Sequence, residues 1–161
     1  MIFGSPKLSG PLNIASYGAG VDIPETGQGY YYGGWISNAS MHEGSQGRKF
    51  SSSLYKFRCN TDKTELVASP DTAGRVDGTM VLIPAGETGP LVYLRGSLPL
   101  SPSRDGTRAP QPLDEALLYG PAANTWYTQK TSGVIPQNRW SILYGGNLSS
   151  GQVQLTHVSL P

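Results

Sequence analysis

Short runs of apolar and aromatic residues recur along the chain of 161 residues, and each run is bounded by glycine, proline, asparagine or serine. Aromatic and β-branched residues dominate these runs, which is typical of half-buried strands. The clearest runs lie at residues 29–32, 54–57, 79–83, 91–94, 116–119 and 141–144. Because interruptions this frequent leave little room for long helices, the pattern predicts an all-β, antiparallel fold.

Residues 74–94 carry the strongest hairpin signal in the chain. Residues 84–90 contain two prolines and two glycines, which favour a chain reversal, and they separate two almost continuous apolar runs. Runs without polar alternation are typical of strands that are buried on both faces. We therefore predict that this hairpin is the best-ordered part of the fold and that both of its strands are buried on both faces.

The same order of features returns along the chain, which predicts an internal repeat. The aromatic strands that start at residues 54 and 116 begin 62 residues apart. Tyr32 and Tyr144, each directly before a Gly-Gly pair, are 112 residues apart, or about 56 per unit. This is the length of one four-stranded propeller blade with a long loop. The predicted units are residues 14–70, residues 71–139 and a truncated third unit at residues 140–161, within one partial propeller at residues 1–161.

Three stretches in register resemble the kelch repeat, at residues 27–35, 74–93 and 124–139. Together they carry a glycine pair after an aromatic strand, an aromatic residue several positions later, and a tryptophan that opens the last strand. They are similar to kelch-repeat proteins of filamentous fungi, and the resemblance implies an incomplete kelch-type β-propeller of two blades with partial neighbours. The residues assigned to the repeat are Gly33, Gly34, Gly96, Trp126, Gly145 and Gly146. Trp126 is expected to fill the core between neighbouring sheets.

The chain departs from the kelch pattern in three places. Leu66 is aligned with Trp126, and Arg95-Gly96 stands where a second Gly-Gly pair is expected. After Arg139, the next glycine-pair strand follows about 15 residues sooner than the repeat requires. Since closed propellers have about four to eight blades, the chain is expected to be a fragment of a longer protein or a truncated product. Self-association through its open blade faces is a further expectation.

Composition and charge narrow the range of partners. Only 14% of the residues are charged, the net charge is +1, and no run of like charges occurs, so nucleic acid and anionic membranes are not expected partners. The chain shows no apolar window of the length of a membrane helix and no signal peptide. Asn38 and Asn147 each begin an Asn-X-Ser triplet, and their glycosylation would place the parent protein at the cell surface or outside the cell.

The residue pattern does not indicate catalysis. His42 and His157 are 115 residues apart, and neither is surrounded by residues at metal-ligand spacing. Cys59 is the single cysteine. Asp114 and Glu115 are adjacent, so they point to opposite faces of a strand and are poorly placed to share acid–base chemistry. We therefore predict no catalytic residue, no metal and no cofactor.

The long loops around residues 35–50 and 97–112 form the predicted binding surface, because loops on a rigid scaffold commonly carry function. The candidate binding residues are Trp35, His42, Arg48 and Arg104. By analogy with kelch proteins, the expected function is non-catalytic recognition of a protein or a glycan. Two alternatives stay open. Kelch-type blades also build the copper-radical domain of galactose oxidase-like enzymes, so the chain is alternatively a fragment of such an enzyme, or a truncated product without independent function.

Overall fold

The computed structural model describes residues 15–36, 49–61, 63–67, 69–70, 73–85, 88–100, 108–111, 113–134, 143–147 and 152–156. Within these ranges the chain consists of antiparallel strands and turns, with one short 3₁₀ segment at Pro24–Thr26. The all-β fold predicted from the sequence is confirmed. The strands are β1 (Ala19–Ile23), β2 (Gln28–Tyr32), β3 (Trp35–Ile36), β4 (Lys49–Phe50), β5 (Leu54–Arg58), β6 (Lys63–Val67), β7 (Val76–Leu82), β8 (Leu91–Pro99), β9 (Arg108–Pro110), β10 (Glu115–Gly120), β11 (Thr125–Lys130), β12 (Leu143–Asn147) and β13 (Gln152–Thr156).

Two four-stranded sheets follow one another along the chain. The first has the strand order β1-β2-β5-β6, and the second has the order β7-β8-β10-β11 with β9 paired to the far end of β8. Neighbouring strands are antiparallel throughout. Four antiparallel strands in this order form the blade of a propeller. The first sheet lies within the predicted unit at residues 14–70, and the second lies within the unit at residues 71–139.

The predicted hairpin at residues 74–94 is present, but its two strands are buried to different extents. β7 pairs with β8 from Leu82 opposite Leu91 to Val76 opposite Ser97. The first four residues of β8 are all buried, as predicted for a strand covered on both faces. The prediction is wrong for β7, where only Val76 and Met80 are buried. β7 is half-buried because it lies at the edge of its sheet and has a strand partner on one side only.

Strand register corrects one alignment made from the sequence. In the second sheet Trp126 lies opposite Tyr119, one pair after the turn that joins β10 and β11. The corresponding pair in the first sheet is Thr64 opposite Phe57. Thr64, rather than Leu66, is therefore the counterpart of Trp126, and Leu66 is 69% exposed. The alignment failed because β6 is an outer strand with mostly exposed residues, so its first apolar residue does not mark where the strand begins.

The main core lies between the two sheets. Its buried residues are Ala19, Ile23, Tyr30, Tyr32, Leu54, Met80, Leu91, Tyr93, Leu117 and Tyr119, with Val21, Val67, Leu82 and Trp126 packed against them. The ring of Tyr32 makes an edge contact with Tyr93 at 4.8 Å between centroids, and the rings of Tyr30 and Tyr119 are 5.8 Å apart. Aromatic pairs of this geometry add to the stability gained from burial alone. Aromatic rings from both sheets therefore join the two blades.

The glycines assigned to the repeat lie where the second strand of each blade bends. Gly33 and Gly34 have φ angles of 75° and 100°, and Gly96 has a φ of 85°. Such left-handed angles strain residues that carry a Cβ atom, so glycine is favoured there. By register with the sheets, Gly34 and Gly96 occupy equivalent positions in the two blades. The remaining two glycines, Gly145 and Gly146, lie within β12, which pairs with β13.

Candidate functional site

Each blade carries a two-stranded extension beyond its glycine bend. In the first blade β3 follows Gly34 and pairs with β4, and in the second blade the last residues of β8 follow Gly96 and pair with β9. The predicted binding loops, at residues 35–50 and 97–112, include the paired strands of these extensions, and their residues 37–48, 101–107 and 112 lie outside the described residues. Of the predicted site residues in these loops, His42, Arg48, Arg104 and Asn38 lie outside the described residues, and Asn147, predicted elsewhere as a glycosylation site, ends β12.

Trp35 is half-buried in the first extension. Its ring centroid is 5.0 Å from that of Phe50, on the paired strand β4. Its backbone also forms a bridge with Ser16, in which the Ser16 amide donates to the Trp35 carbonyl at 2.9 Å. Trp35 therefore packs within the first extension, and its role as a binding residue stays a prediction.

Backbone hydrogen bonds fasten the first extension to the segment that enters the second blade. The amide of Gly34 donates to the carbonyl of Arg75 at 2.7 Å, and the amide of Arg75 donates to the carbonyl of Ser51 at 3.3 Å. The amide of Ser51 donates back to the carbonyl of Gly34 at 2.7 Å. Since these bonds join three separate chain segments, they fix the two blades to each other at the end where the extensions begin.

Two residues at the start of the innermost strands adopt left-handed backbone angles. The φ angle is 61° for Tyr17 and 58° for Asp77, and the amide of Asp77 donates to the carbonyl of Tyr17 at 2.9 Å. Each is followed by a glycine, Gly18 directly before β1 and Gly78 as the third residue of β7. A left-handed conformation costs a residue with a Cβ atom about 1–2 kcal/mol. It is uncommon above all for a residue as bulky as tyrosine.

Tyrosines from the second strand of each blade hold these strained turns. The hydroxyl of Tyr31 donates to the carbonyl of Ala15 at 2.8 Å and accepts from the amide of Gly18 at 3.0 Å. In the second blade the ring of Tyr93 lies against Gly78, so closely that a Cβ atom there would collide with it. Strained residues persist where surrounding contacts determine their geometry, and such residues cluster at functional sites.

Arg108 forms an ion pair with Asp77 of β7. It lies on β9, and its Nη1 atom is 2.7 Å from Oδ2 of Asp77. This contact is an ion pair rather than an aligned hydrogen bond, because Oδ2 of Asp77 has no partner that meets hydrogen-bond geometry. Tyr17, whose carbonyl accepts a hydrogen bond from the amide of Asp77, is 71% exposed. We call Tyr17, Asp77 and Arg108 the inner corner.

The inner corner offers an aromatic face, a carboxylate and a guanidinium group in one place. The sequence did not single out these three residues. The signal for this site is a glycine that lies against a tyrosine ring, Gly18 against Tyr31 and Gly78 against Tyr93. This contact recurs at equivalent positions of the two blades. That signal becomes visible only once the strands are in register.

The described residues do not contain a metal-binding constellation. No group of three His, Cys, Asp or Glu side chains comes together in the part of the chain that the structure describes. Cys59 is exposed in the turn after β5. Both histidines of the chain, His42 and His157, lie outside the described residues. Among the described residues, none of the helical segments is long and apolar enough to cross a membrane.

Comparisons with known proteins support the kelch resemblance. No protein-family model matches the chain. The chain is 28% identical, over an alignment of 165 positions, to a kelch repeat-containing protein of Arthroderma benhamiae, and the alignment covers 84% of this chain and 23% of that protein. Among solved structures it is similar to a fungal alcohol oxidase of the AA5 family in complex with copper, with a TM-score of 0.52 and 17% identity.

The coverage of these matches limits what they show. The structural match covers 81% of this chain and 24% of the oxidase chain, so the chain spans about a quarter of the length of either protein. At 17% identity the structural likeness shows the fold alone. The two predictions made from the sequence are nevertheless confirmed: the chain resembles kelch-repeat proteins, and it folds as a partial kelch-type β-propeller.

Proposed function

We propose that the chain is a non-catalytic binding module that recognises a protein or glycan partner at the end of the blades that carries the two extensions. The observation that supports this most strongly is the equivalence of the two extensions. Both follow a glycine bend, both consist of two paired strands, and Arg108 of the inner corner lies on β9 of the second extension. Surfaces built from equivalent loops of successive repeats are a common way for repeat proteins to bind a partner.

The chemistry of the inner corner favours binding over catalysis. A general acid or base needs a group that is free to exchange a proton with a substrate. Asp77 instead lies in an ion pair with Arg108 at 2.7 Å, and Tyr17 presents an exposed ring. Aromatic rings and arginine are the residue types that most often anchor a binding partner.

The parent protein is proposed to be a longer fungal protein of the cell surface or the secreted fraction. The name of the Arthroderma benhamiae relative supports the kelch assignment, and the two Asn-X-Ser triplets at Asn38 and Asn147 support an extracellular setting. Detection of N-glycans at both asparagines in protein produced by a fungal host would support this origin. Unmodified asparagines in secreted protein would count against it.

An origin as part of an oxidase is the second candidate, because the solved structure with a similar fold is an alcohol oxidase in complex with copper. Copper loading followed by electron paramagnetic resonance separates the two candidates. The binding module is expected to hold no copper in a defined geometry. One tightly bound Cu²⁺ per chain, lost on substitution of His42 or His157, would favour the oxidase.

A loop exchange tests the binding module directly. One variant replaces residues 37–48, and a second replaces residues 101–107, with glycine–serine sequences of equal length, so that the described strands stay unchanged. Both variants and the unaltered chain are tested on an oligosaccharide array and against a displayed peptide library. We expect at least one class of probe to bind the unaltered chain and to bind a loop variant at least about tenfold more weakly. Unchanged binding by both variants, or no binding to either array, would contradict the proposal.

A further inference from the structure

We infer that the inner corner, formed by Tyr17, Asp77 and Arg108, is a binding site for a neutral saccharide. This inference rests on the proposed binding function, and it specifies both the ligand class and the residues that contact it. The three residues come from different parts of the chain, from the turn before β1, the start of β7 and the start of β9. Backbone hydrogen bonding and an ion pair bring them together.

The exposed ring of Tyr17 supplies the apolar part of such a site. Its side chain is 71% exposed although it sits in a turn held by the Tyr31 hydroxyl bonds to Ala15 and Gly18. A rigid aromatic ring gives a large contact area at a low cost in conformational entropy. One face of a pyranose ring presents C–H groups that pack flat against an aromatic face. Tyr17 therefore has the shape and the rigidity of a stacking platform for a sugar ring.

Asp77 and Arg108 supply the polar part. Their side chains remain 22% and 36% exposed, so both reach the surface, and the backbone of Asp77 is bonded to that of Tyr17. Oδ2 of Asp77 is buried and faces Arg108, so Oδ1 is the carboxylate acceptor left for a ligand, while the guanidinium group has five N–H donors and makes this single contact with Asp77. Neighbouring hydroxyl groups of a sugar both donate and accept hydrogen bonds, and an adjacent acceptor and donor pair matches them.

The charge of the inner corner favours a neutral ligand. The ion pair between Asp77 and Arg108 cancels the formal charge of the two groups. An acidic peptide would have to compete with Asp77 for Arg108, and a basic peptide would have to compete with Arg108 for Asp77. A neutral saccharide keeps the ion pair intact and binds to both groups at once.

The backbone strain fits a site that is arranged before the ligand arrives. Tyr17 and Asp77 are left-handed at equivalent positions of the two blades, and glycine would relieve the strain at either position. A ring and a carboxylate held in fixed positions lose little freedom on binding, which favours affinity. Selection for stability alone would favour glycine at both positions. The strained tyrosine and aspartate are retained instead, as expected where their side chains bind a ligand.

The test uses three variants of the full chain. Tyr17→Gly removes the ring and relieves the strained angle, and Asp77→Asn removes the charge while keeping a residue that tolerates the left-handed conformation. Tyr127→Ala is the matched control, since Tyr127 is 55% exposed on β11 outside the inner corner. Thermal melts establish that each variant is folded, and Tyr17→Gly is expected to melt at the same temperature as the unaltered chain or higher.

Binding is measured by isothermal titration calorimetry with cellotriose, laminaritriose, chitotriose and mannotriose, and with trigalacturonic acid as the charged comparison. We expect one or more neutral trisaccharides to bind. We expect Tyr17→Gly and Asp77→Asn to weaken that binding at least about tenfold, as loss of an aromatic anchor or a charged hydrogen-bond partner does. Tyr127→Ala is expected to bind like the unaltered chain.

Three results would overturn the inference, and they differ in what they say about the proposed function. If a neutral trisaccharide binds equally well to Tyr17→Gly, the site is wrong and the binding function stands. If no saccharide binds but the peptide library yields a ligand that depends on the loops, the ligand class is wrong and the binding function stands. If neither saccharides nor peptides bind to the folded chain, both proposals fail.

Discussion

Trp126 contacts aromatic rings that belong to both blades. Its ring centroid lies 5.3 Å from that of Tyr32 in the first blade and 5.2 Å from that of Tyr119 in its own blade. Trp126→Ala removes these contacts and leaves a cavity beside the main core. We expect the free energy of unfolding to fall by about 3 kcal/mol, the lower end for a buried tryptophan, because Trp126 is half-buried.

Trp35→Ala is the comparison for Trp126→Ala. Trp35 is also half-buried, and its ring packs on that of Phe50 within the same extension. We expect this substitution to cost about 1–2 kcal/mol. Urea denaturation of both variants measures the difference, and equal losses would show that the contacts between the blades do not dominate the stability of the fold.

Tyr30 predicts how the fold responds to alkaline solution. Burial raises the pKa of Tyr30 to about 12, and the neighbouring Tyr119 raises it further. A tyrosine in the unfolded chain has a pKa of about 10. As the pH rises, the unfolded state therefore loses this proton before the folded state does. The stability that Tyr30 contributes is therefore complete below about pH 10 and is lost between about pH 10 and 12.

Tyr30→Phe tests this dependence because phenylalanine keeps the ring and has no proton to lose. The variant also loses the hydrogen bond from the Tyr30 hydroxyl to Oε1 of Gln28, so a small loss of stability at neutral pH is expected. Urea midpoints of both proteins are compared from pH 8 to the alkaline limit of folding. The decline is expected to be shallower for Tyr30→Phe, and parallel curves would refute the role of Tyr30. Both proteins are expected to lose some stability as the pH rises, because burial also raises the pKa of Tyr119.

Which residues were predictable from the sequence depended on whether their conformation is set locally. Gly33, Gly34 and Gly96 were singled out from the sequence as repeat residues, and all three have left-handed φ angles, for which glycine itself is a local signal. The left-handed angles of Tyr17 and Asp77 carry no such signal. They depend on contacts with Tyr31 and Tyr93 from other strands, and these contacts exist only in the folded sheet.

At the scale of strands, an apolar pattern identified most of those that face the core, but it missed β1, whose Ala19 and Ile23 are buried in the core. Residues 29–32, 54–57 and 116–119 were predicted as strands, and they lie within β2, β5 and β10. The short strands β3, β4 and β9 have two or three residues each and present no alternation that a sequence pattern detects. Their existence follows from pairing with neighbouring strands, and they carry the proposed binding surface.

The packing of tyrosine over glycine is a contact between strands that a single methyl group tests. A Cβ atom at Gly78, on β7, would collide with the ring of Tyr93 on the paired strand β8. Either the ring or the strand must move, and overpacking of this kind costs about 1–3 kcal/mol. We expect Gly78→Ala to lower the free energy of unfolding by that amount.

Gly20→Ala is the matched control for Gly78→Ala. Gly20 lies on β1, the equivalent inner strand of the first blade, where the atom nearest to an added Cβ is the Tyr30 carbonyl oxygen at an ordinary 3.5 Å. Its effect is expected to stay within about 0.5 kcal/mol of zero or to be slightly stabilising. Thermal and urea unfolding of both variants measure the difference, and a comparable loss at both positions would show that the tyrosine ring is not the cause.

At the scale of the whole molecule, residues that are 62 apart in the sequence occupy equivalent positions in the sheets of the two blades. Leu54 and Ala116, at the starts of β5 and β10, lie 62 residues apart and pair with Tyr32 and Leu94 respectively. The two blades share one register, so equivalent residues form equivalent faces. The face of the first blade that packs on the second blade therefore corresponds to the face of the second blade that points away from the first. The second sheet carries a separate apolar cluster on that far face, formed by Val81, Ile83, Val92, Leu94, Ala116 and Leu118.

Self-association through this far face remains a prediction, and Leu118→Lys tests it. Leu118 is half-buried and packs against the apolar cluster of the far face. It lies on the opposite side of β10 from Leu117 and Tyr119 of the main core. A lysine there places a charge on the apolar face without entering the main core, so we expect the association constant to fall at least tenfold, or about 1.4 kcal/mol. Val134→Lys, at a fully exposed valine beyond β11, is the control and is expected to associate like the unaltered chain. Sedimentation velocity over a wide range of concentrations measures all three proteins. A chain that stays monomeric throughout, or that associates equally with and without Leu118→Lys, would show that this face does not drive association.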